Sequence, residues 1–289
     1  MEIIILQLAV NGILLGGLYA LISIGLTLIF GIIDVVNFAH GEFLMLSMYF
    51  CYWMWALFGV IPYLSLLLSI PIFFFIGRIV QKLLIWPIIE KPMLNQIFTT
   101  LGLSLILMNG ALLFWKANSR AIRMPGLAQS AKILNLRFSY PRLIAFIIAL
   151  TIIALLFTFL KKTRMGRAIR ALAQDRRASM LVGINVDYHY QIAFGIGLAC
   201  TAAAGALLIP IYNVSPTTGQ LFCLIAFVIV VMGGFGYLQG SLIAGIIIGL
   251  VESYSGFFLS IHLKEAVYFM IFVLVLLIKP SGIMGGKER

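Results

Sequence analysis

The sequence is dominated by apolar runs long enough to cross a lipid bilayer. A membrane-spanning helix needs about 20 apolar residues, and nine runs meet or approach that length: residues 3–29, 43–58, 63–81, 95–115, 143–160, 190–210, 222–236, 238–258 and 265–279. Charged residues make up 10% of the chain, against roughly 25% in soluble domains. We therefore predict an all-α fold, a polytopic transmembrane helical bundle of about eight or nine membrane segments that forms a single domain over residues 1–289.

Two of the runs are weaker predictions than the others. Residues 43–58 and 222–236 are shorter than a usual span, so each is either a crossing or a broken, re-entrant element packed inside the bundle. The longest polar interval, residues 116–142, contains Pro125, Gly126 and Pro141. These residues predict a surface loop with room for a short helix rather than a soluble domain.

A dense basic segment lies between the fifth and sixth runs. Residues 161–183 hold seven of the 20 Lys and Arg of the chain. Apolar or small residues recur there at helical spacing, and four arginines fall off that stripe: Met165, Ala168, Ile169 and Leu172 against Arg164, Arg167, Arg170 and Arg177. The pattern predicts an amphipathic helix at the cytoplasmic face. Such a helix can bind either lipid headgroups or another protein.

The distribution of basic residues predicts the orientation of the chain. With nine crossings and residues 161–183 inside, 13 of the 20 Lys and Arg are cytoplasmic and seven are outside. Basic loops stay on the cytoplasmic side, so we place the N-terminus outside and the C-terminus inside. If the seventh run does not cross, the count becomes ten against ten, so the orientation depends on that element.

A second unusual stretch, residues 31–42, carries polar side chains between two apolar runs: Asp34, Asn37, His40 and Glu42. A metal site is disfavoured because one His with carboxylates defines no preferred geometry, and a proton relay would suit a secondary transporter. The favoured interpretation is a buried or inner-face turn whose polar groups cap helix ends and pair with basic residues. Asp34 and Glu42 are expected near helix starts, where the dipole favours negative charge.

Glycines and two polar residues stand out within the runs. Gly12 with Gly16, and Gly245 with Gly249, have the GxxxG spacing that lets helix backbones approach closely. The spacing predicts packing within the chain, with a sliding or hinge role as the alternative. Asn11 and Glu252 are candidate path or gate residues, and an acid in an apolar helix normally faces the bundle interior and has a partner.

Several function classes find no support in the sequence. It contains no GxxxxGK[ST] phosphate-binding loop and no HExxH or GxSxG motif, so neither ATP binding nor an enzyme is predicted. The net charge of +11 is explained by basic loops between spans rather than by a nucleic-acid module. Cys51, Cys200 and Cys223 are widely spaced in apolar sequence and predict neither a disulfide nor a zinc site. No cofactor is expected.

Three motifs carry a resemblance to a known family. They are GLYALISIGLTLIFGIIDVVNFAHGEFLML over residues 17–46, GRAIRALAQDRRASMLVGI over residues 166–184 and GGFGYLQGSLIAGIIIGLVE over residues 233–252. In this order they resemble the permease subunits of bacterial ABC importers for branched-chain amino acids, and the resemblance covers nearly the whole chain. Permeases for urea, short-chain amides and other amino acids look similar, and sugar permeases are more distant relatives.

The resemblance implies a transport subunit of the bacterial inner membrane with no enzymatic activity of its own. The implied partners are two cytoplasmic ATPase subunits, a second related permease, membrane lipid and a periplasmic binding protein that delivers an amino acid. The loop at about residues 161–188 would hold the coupling helix, which sits in a groove of the ATPase. The positions that match the family pattern are Arg170, Ala171, Gln174, Asp175, Arg176, Ala178 and Gly183. At residues 177–179 the chain has Arg-Ala-Ser where an acidic residue followed by small ones is common.

Two classes of function remain. In the first, substrate passes between this chain and its partner permease while ATP binding and hydrolysis elsewhere alternate the access, and the glycine-rich region and the turn at residues 31–42 are the gates. In the second, the chain is a stand-alone secondary transporter or channel with Asp34, His40, Glu42 or Glu252 as proton or ion sites.

Overall fold

The computed structural model describes residues 2–122, 130–133, 136–259 and 263–285. Arg123, Lys287 and Arg289, which enter the orientation count, lie outside the described residues. The described chain forms α1 (Glu2–Ile33), α2 (His40–Phe58), α3 (Pro62–Val80), α4 (Met93–Trp115), the hairpin strands β1 (Ser130–Ile133) and β2 (Leu136–Ser139), α5 (Tyr140–Lys162), α6 (Arg164–Gln174), α7 (Arg176–Leu181), α8 (Val186–Leu208), α9 (Thr218–Gly233), α10 (Leu238–Phe258) and α11 (Lys264–Ile278). One π-helical turn and one 3-10 turn extend α3 as far as Ile88.

Each of the nine predicted apolar runs lies largely within a helix, and the helix of the seventh run ends at Gly233. Within the described part of the chain, six helices are long and apolar enough to cross a membrane, namely α1, α3 with its extension, α4, α5, α8 and α10. The helices α9 and α11 are shorter, with 16 and 15 residues. The chain is therefore a multi-pass helical membrane protein.

Helices α1 and α8 form the centre of the bundle. In each, 89% of the spanning window is buried within the chain. They run antiparallel, because Ile22 and Gly25 of α1 lie beside Thr201 and Gly197 of α8. Helix α10 also packs on α1, and α3 also packs on α8. Each of the two central helices thus packs on the last helix of the other unit, α1 on α10 of the unit α8–α10 and α8 on α3 of the unit α1–α3.

The predicted glycine pairs join α1 to α10. Gly12 lies against Gly249, and Gly16 lies against Gly245, with main-chain atoms of the two helices in direct contact. A methyl group added at any of the four positions would overlap the facing helix. The prediction of packing within the chain is confirmed, and the absence of side chains at these positions is what allows the approach.

Helices α2 and α9 begin inside the bundle. His40, the first residue of α2, places its Nε2 atom 3.0 Å from the carbonyl oxygen of Ile22, well within α1. The connecting residues 34–39 are not helical, yet Val35 and Ala39 are fully buried. Irregular backbone at membrane depth is stable only where protein covers it. The start of α2 therefore fits the interpretation of its short apolar run as a broken element packed inside the bundle.

The structure corrects two local predictions. The interval 116–142, predicted as a loop with room for a short helix, contains the antiparallel hairpin β1–β2. Gln7 exchanges two hydrogen bonds of 2.7 Å with the main chain of Arg137, which fixes the hairpin to the start of α1. Asp34, predicted near a helix start, follows the last residue of α1 with a φ of 58°. It therefore lies at the negative end of a helix dipole, so that prediction is wrong.

Candidate functional site

The starts of α2 and α9 meet in the interior of the bundle. Gly41 and Gly219 touch through their main chains so closely that a methyl group on either would overlap the other residue. The first turn of a helix has unpaired N–H groups and carries the positive end of the dipole. The junction of Gly41 and Gly219 therefore brings two positive helix ends together.

Glu42 places its carboxylate at this junction. The side chain is 1% exposed, and its Oε1 accepts a hydrogen bond of 3.3 Å from the Ser104 hydroxyl. Its Oε2 packs against Gly219 and has no hydrogen-bond partner among the described residues. The position in the first turn of α2 agrees with the prediction for Glu42. A buried carboxylate with an acceptor to spare is a candidate functional group in a membrane interior.

His40 and Asn37 have structural partners in the same region. The His40 Nε2 atom lies 3.0 Å from both the Ile22 carbonyl oxygen and the Thr201 Oγ1, and so connects α2 to α1 and α8. Asn37 Oδ1 accepts a hydrogen bond of 3.1 Å from the main-chain N–H of Ala39. Both observations agree with polar groups that stabilise helix ends. The predicted pairing with basic residues is wrong for the described residues, since neither of their ion pairs includes Asp34 or Glu42. Among the described residues, no group of three His, Cys, Asp or Glu side chains is placed to hold a metal ion.

Glu252 of α10 faces inward and has two partners. Lys264 Nζ donates to its Oε1 over 2.7 Å, and the Tyr19 hydroxyl donates to its Oε2 over 2.6 Å. The expectation of an inward-facing acid with a partner is confirmed. Sequence reasoning missed both partners, because Tyr19 lies 233 positions away and Lys264 opens a different helix.

A cleft of about 430 Å³ opens beside this ion pair, and we call it the Glu252 cleft. It lies between the first part of α1, the start of α5 and the last part of α10. Its polar lining residues are Asn11, Arg142, Tyr212, Glu252, Ser253 and Lys264. The structure thus brings Asn11 and Glu252 together, whereas Asp34, Asn37, His40 and Glu42 do not line this cleft.

The basic segment folds as two helices rather than one. In α6 two residues of the predicted stripe, Ile169 and Leu172, are buried at 1% and 3% exposed. Met165 and Ala168 of the stripe are half-buried, while Arg164, Arg167 and Arg170 are exposed. Asp175 ends α6, and its Oδ1 accepts a hydrogen bond of 3.0 Å from the N–H of Ala178, which caps α7. The amphipathic helix is confirmed, and the break at Asp175 is an addition to the prediction.

Gly183 ends α7 in a conformation that favours glycine. Its φ is 84°, and its N–H donates to the carbonyl oxygen of Met180. The N–H of Ile184 donates to the carbonyl oxygen of Ser179, which completes a Schellman ending. The physical role of Gly183, a position that matches the family pattern, is therefore to end α7.

Arg176 holds α7 against the connection before α4. Its guanidinium donates to the Glu90 carboxylate over 3.1 Å and lies 5.9 Å from the ring centroid of Tyr190. Arg176 thus pairs with residues of its own chain. Of the other positions that match the family pattern, Arg170, Gln174 and Ala178 are exposed and Ala171 is half-buried. Arg170 also lines a groove of about 240 Å³ with Lys161 and Tyr237.

The end of α7 presents an apolar tip formed by Met180, Leu181 and Val182. These side chains are 47%, 89% and 77% exposed, in a segment that belongs to none of the apolar runs. The sequence prediction did not include them, although three apolar residues directly after a basic helix were the available signal. Exposed apolar side chains in such a cluster are typical of a protein-binding surface.

Comparison with known proteins gives a consistent result over nearly the whole chain. A family model described as "Branched-chain amino acid transport system / permease component" matches residues 8–276. The high-affinity branched-chain amino acid transport system permease protein LivH of Salmonella typhimurium is 35% identical, over 98% of this chain and 96% of that protein. LivH of Escherichia coli K12 is 34% identical over the same shares, and BraD of Pseudomonas aeruginosa is 32% identical. No solved structure matches the chain.

Proposed function

Because the chain belongs to the family of branched-chain amino acid transport permease components, we propose that it is the membrane-spanning subunit of an ATP-driven importer of branched-chain amino acids. It is a transport subunit rather than an enzyme. The observation that carries the proposal is similarity to LivH over 98% of this chain. ATP hydrolysis then takes place in separate chains, the ATPase subunits.

The segment of residues 161–188 is the proposed site of contact with an ATPase. Its apolar tip is exposed, and the arginines of α6 can pair with carboxylates of a partner. Asp175 and Gly183 fix both ends of α7, and the Arg176–Glu90 ion pair fixes its direction. A short helix held at both ends can transmit a movement of the partner to the membrane helices. Binding of the basic face to anionic lipid is the alternative, with about 1 kcal/mol for each basic residue near the surface.

The remaining partners and the placement follow from the same proposal. The chain lies in the bacterial inner membrane with eight or nine membrane segments, its N-terminus outside and residues 161–188 in the cytoplasm. It pairs with a second related permease, two ATPase subunits and a periplasmic binding protein that delivers the amino acid.

The junction of α2 and α9 is the proposed gate of the transport path. Transporter sites lie where helices are broken at membrane depth, because their free N-termini attract a substrate carboxylate. Gly41 and Gly219 form such a place, and Glu42 occupies it. Asn37 and His40 support the start of α2, and Asp34 forms the turn before it. Asn11 and Glu252 lie along the same proposed path, in the Glu252 cleft.

Two alternatives differ in substrate or in energy source. A related importer for urea, amides or other amino acids would keep the partners and change only the substrate. A stand-alone secondary transporter would use Glu42 or Glu252 as a proton site, and the unpartnered Oε2 of Glu42 is the observation that favours it.

Uptake by reconstituted vesicles tests the proposal. We expect vesicles that contain this chain, its second permease and the ATPases to accumulate leucine only with ATP and the binding protein. Leucine uptake by this chain alone, driven by a proton gradient, would contradict it. Urea or amide uptake without leucine uptake would support the related importer instead.

A further inference from the structure

We propose that the Glu252 cleft is a binding site for a zwitterionic α-amino acid with an apolar side chain. The proposal rests on the proposed function and adds to it the place at which this chain itself recognises the substrate. Three properties of the cleft carry it: an unbalanced positive charge, an acid with spare acceptor capacity, and an apolar wall.

The charges that line the cleft do not balance. Among the described lining residues, Arg142 and Lys264 are positive and Glu252 is the one acid, and Lys264 is paired with Glu252 at 2.7 Å. Arg142 is half-buried at the start of α5. A guanidinium in that setting is matched by a carboxylate, which it binds through two parallel hydrogen bonds. The carboxylate end of an amino acid is therefore assigned to Arg142.

Glu252 can accept the ammonium end without losing its present partners. An ionised carboxylate offers about four acceptor positions on its two oxygens, and the bonds from Tyr19 and Lys264 use two of them. Asn11 lines the same cleft from α1 and adds a neutral amide oxygen.

The rest of the lining suits an apolar side chain. Leu8, Leu15 and Phe257 form the apolar part of the lining, which we call the apolar wall. The volume of about 430 Å³ falls within the roughly 300–1,000 Å³ of small-molecule sites, which combine apolar walls with a few polar groups that fix orientation. A branched aliphatic chain meets that wall, whereas a charged one would not.

Aromatic rings separate the cleft from the start of α9. Tyr212 of the cleft lies edge-on to Phe222, with centroids 5.6 Å apart. Tyr19, which binds Glu252, lies edge-on to the same ring at 6.3 Å. Phe222 is 2% exposed and follows Gly219 by three residues. A ligand in the cleft is thus one aromatic layer away from the proposed gate.

A cysteine at Gly256 can report occupancy of the cleft. Gly256 lines it, and the space where a side chain would begin is open. We would reconstitute the importer with the Gly256→Cys chain into nanodiscs, add a charged methanethiosulfonate reagent and follow the intact mass of this chain. L-leucine is expected to slow the modification. Leucinol, which lacks the carboxylate, and 4-methylpentanoate, which lacks the amino group, are expected to leave it unchanged.

Matched variants separate binding in the cleft from indirect effects. Leu57→Cys, at a side chain 67% exposed at the end of α2, should react at a rate that leucine does not change, and the wild-type chain, whose three cysteines are buried, sets the background. Arg142→Gln and Glu252→Gln, each combined with Gly256→Cys, should raise the leucine concentration needed for protection by about tenfold or more, the loss expected for one charge-assisted hydrogen bond.

Several outcomes would overturn the proposal. They are a Gly256→Cys probe that leucine does not protect or that does not react, equal protection by 4-methylpentanoate, and unchanged protection in both charge variants. Modification slowed by phosphatidylethanolamine in the nanodisc, and not by leucine, would assign the cleft to lipid headgroups. If the same importer takes up leucine while the probe is unprotected, the cleft site fails and the proposed function stands. If leucine is not taken up at all, the proposed function fails.

Discussion

Gly41 and Gly219 bring the first turns of α2 and α9 into main-chain contact within the bundle. The two residues belong to different halves of the chain, and each is the second residue of a helix that starts away from the bundle surface. A side chain on either one would separate the two helix starts. This contact therefore couples the positions of α2 and α9.

Gly219→Ala is expected to disturb both helices. The added methyl group would overlap the Glu42 carboxylate and the Gly41 carbonyl, and overpacking of this kind costs about 1–3 kcal/mol. We expect a lower melting temperature in detergent and reduced ATP-dependent uptake. Gly102→Ala, at an open helical position, is the control and should melt no lower than the wild type. Equal melting temperatures for the two variants would contradict the close contact.

Replacing Asp175 tests the cap of α7. Asp175→Ala removes the acceptor for the Ala178 N–H, which costs about 1 kcal/mol of helix stability. Asp175→Asn keeps a capping oxygen and is the matched control. Hydrogen exchange of the amides of α7 should be faster in Asp175→Ala than in Asp175→Asn, and ATP-dependent uptake should fall in the same order. Identical exchange in both would show that the cap does not hold α7.

The apolar tip tests the proposed contact with the ATPase. Leu181 and Val182 are 89% and 77% exposed, so Leu181→Ser with Val182→Ser should change the free energy of unfolding by no more than about 0.5 kcal/mol. The double variant should copurify with less ATPase. Leu57→Ser, at a side chain 67% exposed at the end of α2, is the control for loss of an exposed apolar group. Full ATPase recovery with the double variant would remove the tip from the interface.

The Glu90–Arg176 ion pair should affect coupling more than stability. The two side chains are 79% and 31% exposed, and such pairs contribute at most about 1 kcal/mol. We expect Glu90→Gln and Arg176→Gln to leave the melting temperature nearly unchanged, while each lowers the ATPase rate that the binding protein stimulates. The exchanged pair, Glu90→Arg with Arg176→Glu, should recover that rate in part. Recovery would fail if Arg176 instead binds the ATPase directly.

Much of the helical fold was predictable because a bilayer fixes the length and apolarity of a spanning segment. The stripe with Ile169 and Leu172 correctly identified the buried face of α6, since helical periodicity depends only on local sequence. The glycine spacing at Gly12 and Gly16 predicted close packing. It did not identify α10 as the partner, because spacing within one helix carries no information about the facing one.

The rest depended on contacts between distant residues. An apolar run indicates that a segment lies in the membrane but not at what depth it begins, and for α2 that depth is set by the contact of His40 with Ile22 of α1. Asp34 was misplaced because the sequence does not reveal the positive φ that ends α1 beside it. Lys264 stands 12 residues from Glu252, so only the return of the chain into α11 could pair them.

The burial of α1 has a consequence for how the protein is made. The ribosome synthesises α1 before α8 and α10, the helices that cover it. Before they are made, lipid can surround α1, which carries no charged residue after Glu2. Gly12 and Gly16 can contact Gly245 and Gly249 only after α10 has been inserted. Assembly of the bundle therefore buries a helix that entered the membrane before its main partners.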